Sequence, residues 1–335
     1  MLIEGKWTAN WHPVQAKDDD GRFVRQVSSF RNWITPDGQP GPTGEGGFKA
    51  EAGRYRLYVA LICPWASRTL IARKLKRLDD LLPVTVVEPF LTDQGWGFGD
   101  FPGSNRDPLF GASYMHELYT RADPIFTGRA TVPILWDTIR ETIVNNESAD
   151  ILRMMDTAFE GLAPDTPSLY PEHLAEEIDA LAPWLYERLN NAVYKAGFAS
   201  SQQAYEEANM MVFKTLDALE DRFSDGRNFV FGDAITESDI RLFVTLIRFD
   251  AAYHGLFKTN RNLIVDYPYL QRFMERMLFS VPGVADTVSI EHIKAGYYSI
   301  KALNPNGIVP NGPQHVIELM GKTQIHPRGL MTAAE

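Results

Sequence analysis

The stretch from Tyr55 to Glu88 leaves few folds open. Tyr55 to Ile62 is an apolar, β-prone run, Pro64 to Leu78 places Leu70, Ile71, Leu75 and Leu78 at helical spacing among basic residues, and Leu82 to Glu88 reads as a second strand. Strand, sharp turn, helix and strand in that order make a βαβ unit, whose crossover is expected to be right-handed. Further on, Val132 to Trp136 and Thr142 to Val144 read as two short strands of an antiparallel hairpin joined at 137–141, and a helix is expected to begin at Asn146-Glu147-Ser148. After Pro164-Asp165-Thr166-Pro167, read as a linker, the pattern is helical throughout, over 175–195, 201–223, 238–253, 267–279 and 286–297. The expectation is an α/β first half followed by an all-α second half.

The other segments carry no such period. Residues 1 to about 50 are rich in Trp, Gly, Pro and Asp and end in a Gly/Pro-punctuated stretch, Gln39 to Gly47, so they read as an extension or arm. Pro89 to about Thr127, with Gly95-Trp96-Gly97-Phe98-Gly99 and Tyr114, reads as a long loop of the kind that is usually functional. From Asn304 the chain is a Pro/Gly-rich tail expected to wrap the surface rather than add an element. The resulting division is an extension over 1–50, an α/β unit over 51–163, a helical unit over 168–303 and a tail over 304–335.

Charge narrows the partners. With 33 Lys+Arg against 43 Asp+Glu, net −10, the chain lacks the basic footprint that a phosphate backbone requires, so nucleic acid is not expected. The start has no basic n-region followed by an apolar stretch, and no apolar run approaches the ~20 residues of a membrane span. A cytoplasmic protein without membrane attachment is expected. The seven histidines show no metal-ligand spacing, so no metal is expected.

Cys63 is the single cysteine, which excludes internal disulfides and a dithiol cycle within one chain. It stands at the strand-to-helix turn with proline directly after it, and Pro64 at the first helical position would make Cys63 the N-cap. There the free amides and the macrodipole favour an anion by about 1–2 kcal/mol, so a lowered thiol pKa and a more reactive sulfur are expected. The alternative is a buried structural thiol. Val132-Pro133 opens a strand with a residue that cannot donate to a ladder, which suits an edge or a cis turn leaving the Val132 backbone free for a peptide-like ligand. Glu147-Ser148 at a helix start can hold the charged end of a small ligand or act as an ordinary cap.

In this order and spacing the three features resemble a thioredoxin-like domain of the glutathione transferase superfamily, in which the Val-Pro pair binds the cysteinyl backbone of glutathione and Glu-Ser its γ-glutamyl end. The all-α second half fits the same fold, and Thr236-Glu237-Ser238-Asp239 resembles the N-capping box of its helical domain, a folding feature. More narrowly, Cys63-Pro64-Trp65-Ala66, Gly95-Trp96-Gly97-Phe98, Phe126 before Gly128-Arg129, Tyr194-Lys195-Ala196-Gly197-Phe198 and Asn304-Pro305-Asn306-Gly307 resemble the glutathionyl-hydroquinone reductases, or xi-class glutathione transferases. That resemblance implies that Trp96 stacks on glutathione, Arg129 pairs with one of its carboxylates, and Tyr194, Tyr297 and Tyr298 line an aromatic pocket and hydrogen-bond the quinol, Tyr194 also acting in catalysis. Where some relatives carry histidine before the paired tyrosines, this chain has Gly296.

The implied reaction is attack of the Cys63 thiolate on the sulfur of a glutathionyl-hydroquinone, followed by release of the mixed disulfide by a second glutathione. Glutathione is the co-substrate and a homodimer the implied assembly. An omega-like thiol transferase or dehydroascorbate reductase would use the same Cys63, and a non-catalytic glutathione-binding assembly module would keep only the fold.

Overall fold

The computed structural model describes residues 1–9 and 16–322. The βαβ unit consists of β1 (Tyr55–Val59), α1 (Pro64–Leu75) and β2 (Val84–Val86), with β1 parallel to β2 and Leu57 opposite Val84. Then come α2 (Met115–Ala122), β3 (Ile134–Asp137), β4 (Thr142–Asn145) and α3 (Ser148–Thr157). The sheet runs β4-β3-β1-β2, with both contacts of β3 antiparallel. Every residue of β3 is buried, as are Leu57, Tyr58 and Val59, because the sheet is covered on both faces; that is why these strands read as apolar runs and not as alternations. The β3–β4 turn is pinned by a buried ion pair, in which Arg54 donates to Asp137 from Nε and Nη2, and Asp137 also accepts the amides of Ile139 and Arg140.

The helical half comprises α4 (Ala175–Leu185), α5 (Ala192–Gly197), α6 (Gln202–Phe223), α7 (Glu237–Arg248), α8 (Pro268–Phe279), α9 (Ile290–Tyr298) and α10 (Gln314–Lys322). All of α7 is buried, and it packs against α1, which fixes the two halves together. Its start is a capping box: the Thr236 amide and hydroxyl donate to Asp239 Oδ2 at 2.8 and 3.0 Å, while Asp239 Oδ1 accepts the Val230 amide at 2.7 Å. The helices expected over 175–195 and 238–253 are each interrupted by a π turn, at Tyr186–Asn190 and Phe249–Tyr253. One residue inserted into a helical turn leaves the hydrophobic period nearly unchanged, so the pattern does not register it.

Two expectations need correction. The segment 89–127 is not loop throughout: it contains a small hairpin, Leu91–Thr92 with Gly95–Trp96, and the helix α2, which buries Met115, Leu118 and Tyr119 at helical spacing. Glycines and prolines on both sides mask that short period. The tail does add an element, since α10 buries Val316 and Leu319. Positions 10–15 of the extension and 323–335 of the tail lie outside the described residues. No helix among the described residues is long and apolar enough to cross a membrane.

Candidate active site

Cys63 caps α1 in extended conformation, with Pro64 following at the first helical position. Its amide donates to the Ala60 carbonyl at 3.0 Å, and its own carbonyl accepts the amide and hydroxyl of Ser67 at 3.0 and 3.1 Å. The thiol donates to the Val132 carbonyl at 3.6 Å, and the Val132–Pro133 bond is cis. The 131–133 turn is itself held by α2, where Tyr119 Oη donates to the Thr131 carbonyl at 3.0 Å and accepts from Asn146 Nδ2 at 3.1 Å. The helix hidden in the loop thus supports the backbone expected to face glutathione.

A cavity of about 360 Å³ opens over the sulfur. Its walls include Trp65, Trp96, Arg129, Val132, Pro133, Glu147, Ser148, Tyr194 and Tyr297 together with Cys63, and Arg25 to Ser29 of the extension. The extension reaches the site through main-chain and side-chain contacts: the Phe30 amide donates to Asn146 Oδ1, the Asn32 amide to the Val144 carbonyl, and Ser28 Oγ to Glu147 Oε2 at 2.9 Å. Glu147 also accepts the Ala149 amide, so the carboxylate caps α3 and faces the cavity at once.

Among the described residues two cations face this space. Arg25 lies over the rings of Trp65 and Tyr194, at 4.8 and 4.9 Å, and donates from Nε to Asn191. Burial and the neighbouring Arg25 lower the pKa of Arg129 to about 10, so both guanidiniums favour an anion between them. The expectation of a lowered thiol pKa is corrected. Burial pushes the Cys63 thiol up, and the Ala66 amide, Arg248, the Trp65 amide and Arg25 oppose that shift without cancelling it. Water withdrawn from the sulfur by the cavity walls outweighs the helix start.

The far wall is phenolic. Tyr194 Oη lies 2.5 Å from Tyr297 Oη, which lies 3.0 Å from Tyr253 Oη. Burial raises the pKa of all three, so the hydroxyls stay protonated at neutral pH and can donate to an oxygen that gains negative charge.

Of the ten sequence-derived site residues, nine line the one cavity and Tyr298 does not. It follows Tyr297 by one position on α9, and its hydroxyl lies beside Gly255. Gly296 has a steric reason: a side-chain carbon there would stand 2.4 Å from Ile62 Cδ1 and 2.5 Å from the Pro89 carbonyl, so a histidine does not fit. Sequence reasoning missed Arg25, Tyr186, Arg248 and Tyr253. Arg25 sits in a segment without period, and the others read as ordinary helix residues; only the tertiary fold brings them to the cysteine.

Comparison with known proteins agrees with this geometry. Residues 62–158 match the model of the glutathione S-transferase N-terminal domain, and residues 202–276 that of the C-terminal domain. The chain is 48% identical over 93% of its length to the glutathionyl-hydroquinone reductase YqjG of Escherichia coli, of which 95% is covered. It is 45% identical, again over 93% of its length and 96% of the relative, to the reductase PcpF of Sphingobium chlorophenolicum. The glutathione-bound structure of YqjG superposes with a TM-score of 0.87 over 98% of both chains, at 44% identity. The glutathione transferase Xi of Phanerochaete chrysosporium gives 0.85 over 90% of this chain and 98% of its own, at 46% identity.

Proposed function

Because this chain belongs to the glutathionyl-hydroquinone reductases, the xi class of the glutathione transferases, we propose that the cavity over Cys63 reduces glutathionyl-hydroquinones with glutathione as co-substrate. The Cys63 thiolate attacks the glutathione sulfur of the conjugate. The carbon–sulfur electron pair stays with the ring, which takes up a proton and leaves as hydroquinone, while Cys63 and glutathione form a disulfide. A second glutathione thiolate attacks that disulfide, so oxidised glutathione departs and the Cys63 thiolate returns. In sum, conjugate and glutathione give hydroquinone and glutathione disulfide, and the lone cysteine accounts for the need for an outside thiol.

The roles follow the walls. Val132 and Pro133 offer backbone to the cysteinyl part of glutathione, Glu147 and Ser148 hold its γ-glutamyl end, Arg129 takes a carboxylate and Trp96 stacks on it. Tyr194 and Tyr297 donate to the departing quinol. Residues 51–163 form the glutathione-binding unit and 168–303 the substrate-covering unit, and the assembly is a cytoplasmic homodimer through the helical half, as class membership suggests. The observation that carries this reading is that a lone cysteine, a carboxylate-capped helix start and a pair of hydrogen-bonded phenols open on one cavity.

Replacing Cys63 by serine tests it, because a hydroxyl cannot form the disulfide while the glutathione contacts remain. The expected outcome is loss of at least about nine-tenths of kcat, as for a lost covalent nucleophile, with glutathione affinity by calorimetry close to wild type. Retention of more than about a tenth of kcat contradicts the assignment.

A further inference from the structure

We propose that Arg248, brought from the helical half, is the counter-cation of the Cys63 thiolate and the positioning residue of its turn. The inference rests on Cys63 being the nucleophile. Arg248 ends α7 and is 2% exposed. Its Nε donates to the Ile62 carbonyl at 2.7 Å, its Nη2 to the Leu61 carbonyl at 2.9 Å and to Ser67 Oγ at 2.5 Å, and its Nη1 to the Val244 carbonyl at 2.8 Å. Ser67 Oγ in turn donates to the Cys63 carbonyl. The guanidinium therefore grips both residues that precede the cysteine and the hydroxyl that closes the first turn after it.

Every one of these acceptors is neutral. Among the described residues Arg68 is likewise bound to a neutral group, the Asn190 side-chain oxygen, whereas the buried Arg54, Arg73 and Arg241 are matched to the carboxylates of Asp137, Asp79 and Glu237. Arg248 has no such partner, and a buried cation is costly unless an anion balances it. The anion the reaction creates beside this turn is the Cys63 thiolate.

The other groups facing the sulfur do different work. Arg25 faces it from the extension and Tyr194 from α5, with the phenols of Tyr253 and Tyr297 behind Tyr194. Arg25 lines the cavity together with Arg129, so the carboxylates of an entering glutathione can engage both. Arg248 does not line the cavity and stays out of their reach, which leaves its charge for the sulfur. Arg248 opposes the effect of burial on the thiol and also on Tyr253 and Tyr297.

The test is the pH profile of Cys63 alkylation by iodoacetamide in the wild type, Arg248→Gln and Arg248→Lys, each with its melting temperature. Glutamine can still donate to a carbonyl but carries no charge; lysine keeps the charge and loses the fork. The expected result is alkylation about tenfold slower at pH 7 in Arg248→Gln, with the inflection moved to higher pH, and an inflection near wild type in Arg248→Lys although it melts lower. An unmoved profile in Arg248→Gln, or equal shifts in both variants, would make Arg248 a structural brace and overturn the proposal. If Arg248→Gln does not fold, Arg248→Lys decides: a retained inflection supports the proposal and a raised one overturns it. Alkylation needs no quinol, so a failed reduction reading, seen as absence of a glutathione adduct on wild-type Cys63, is distinguishable from failure here.

Discussion

At the scale of single residues, two adjacent tyrosines show how one position decides a role. Tyr297 and Tyr298 are about 100° apart around α9, so one faces the cavity and the other the helix packing. A phenol that stabilises charge on the departing quinol acts only where a quinol departs. Tyr194→Phe and Tyr297→Phe are therefore expected to lower kcat/KM for a glutathionyl-quinol by about 10- to 100-fold while sparing reduction of a simple mixed disulfide. Tyr298→Phe is expected to stay within about twofold on both substrates, and steady-state assays on the pair check all three variants. Equal losses on both substrates would mark a structural role. The sequence shows which residue types are present, but whether 297 or 298 points inward depends on how α9 rolls against Ile62 and Pro89, a contact about two hundred residues away in the chain.

At the scale of elements, the start of α7 carries an internal test. Asp239 is buried, and despite the Val230 amide and the Thr236 amide and hydroxyl, burial lifts its carboxyl to about 6. The folded state thus holds this proton more tightly than the unfolded chain does. The stabilisation is fully present below the unfolded carboxylate range near pH 4 and is lost as the pH rises through about 6, an effect of about 3 kcal/mol. In urea unfolding between pH 4 and 7, the wild type is expected to lose stability relative to Asp239→Asn as the pH rises. Parallel curves would show that Asp239 does not titrate in this window. The box was legible because Thr-x-x-Asp ahead of an apolar helix has a local signature, as had the βαβ unit and the β3–β4 hairpin. By contrast, α2 and α10 escaped because each is short and flanked by Gly/Pro punctuation, and the two π turns because an inserted residue barely alters periodicity.

At the scale of the whole molecule, the site exists because three distant parts of the chain converge. The α/β half supplies Cys63, the Val132–Pro133 turn and the Glu147 cap; the helical half supplies the phenols and Arg248; the extension lays Arg25 and Ser28 across the gap. Arg153 in the middle of α3 bridges to Glu237 on α7, so the helix capped by Glu147 and the start of α7 are tied together. Motif residues with local signals were readable in sequence, whereas residues whose function depends on that convergence were not. In the proposed reaction all three parts serve one covalent event, and a single turnover isolates it: wild-type protein freed of glutathione is mixed with stoichiometric glutathionyl-hydroquinone and examined by intact mass and hydroquinone release. The account predicts one glutathione added per chain at Cys63, one hydroquinone released with it, and removal of the adduct on adding glutathione. Hydroquinone released in the same amount with no adduct at Cys63 would contradict it.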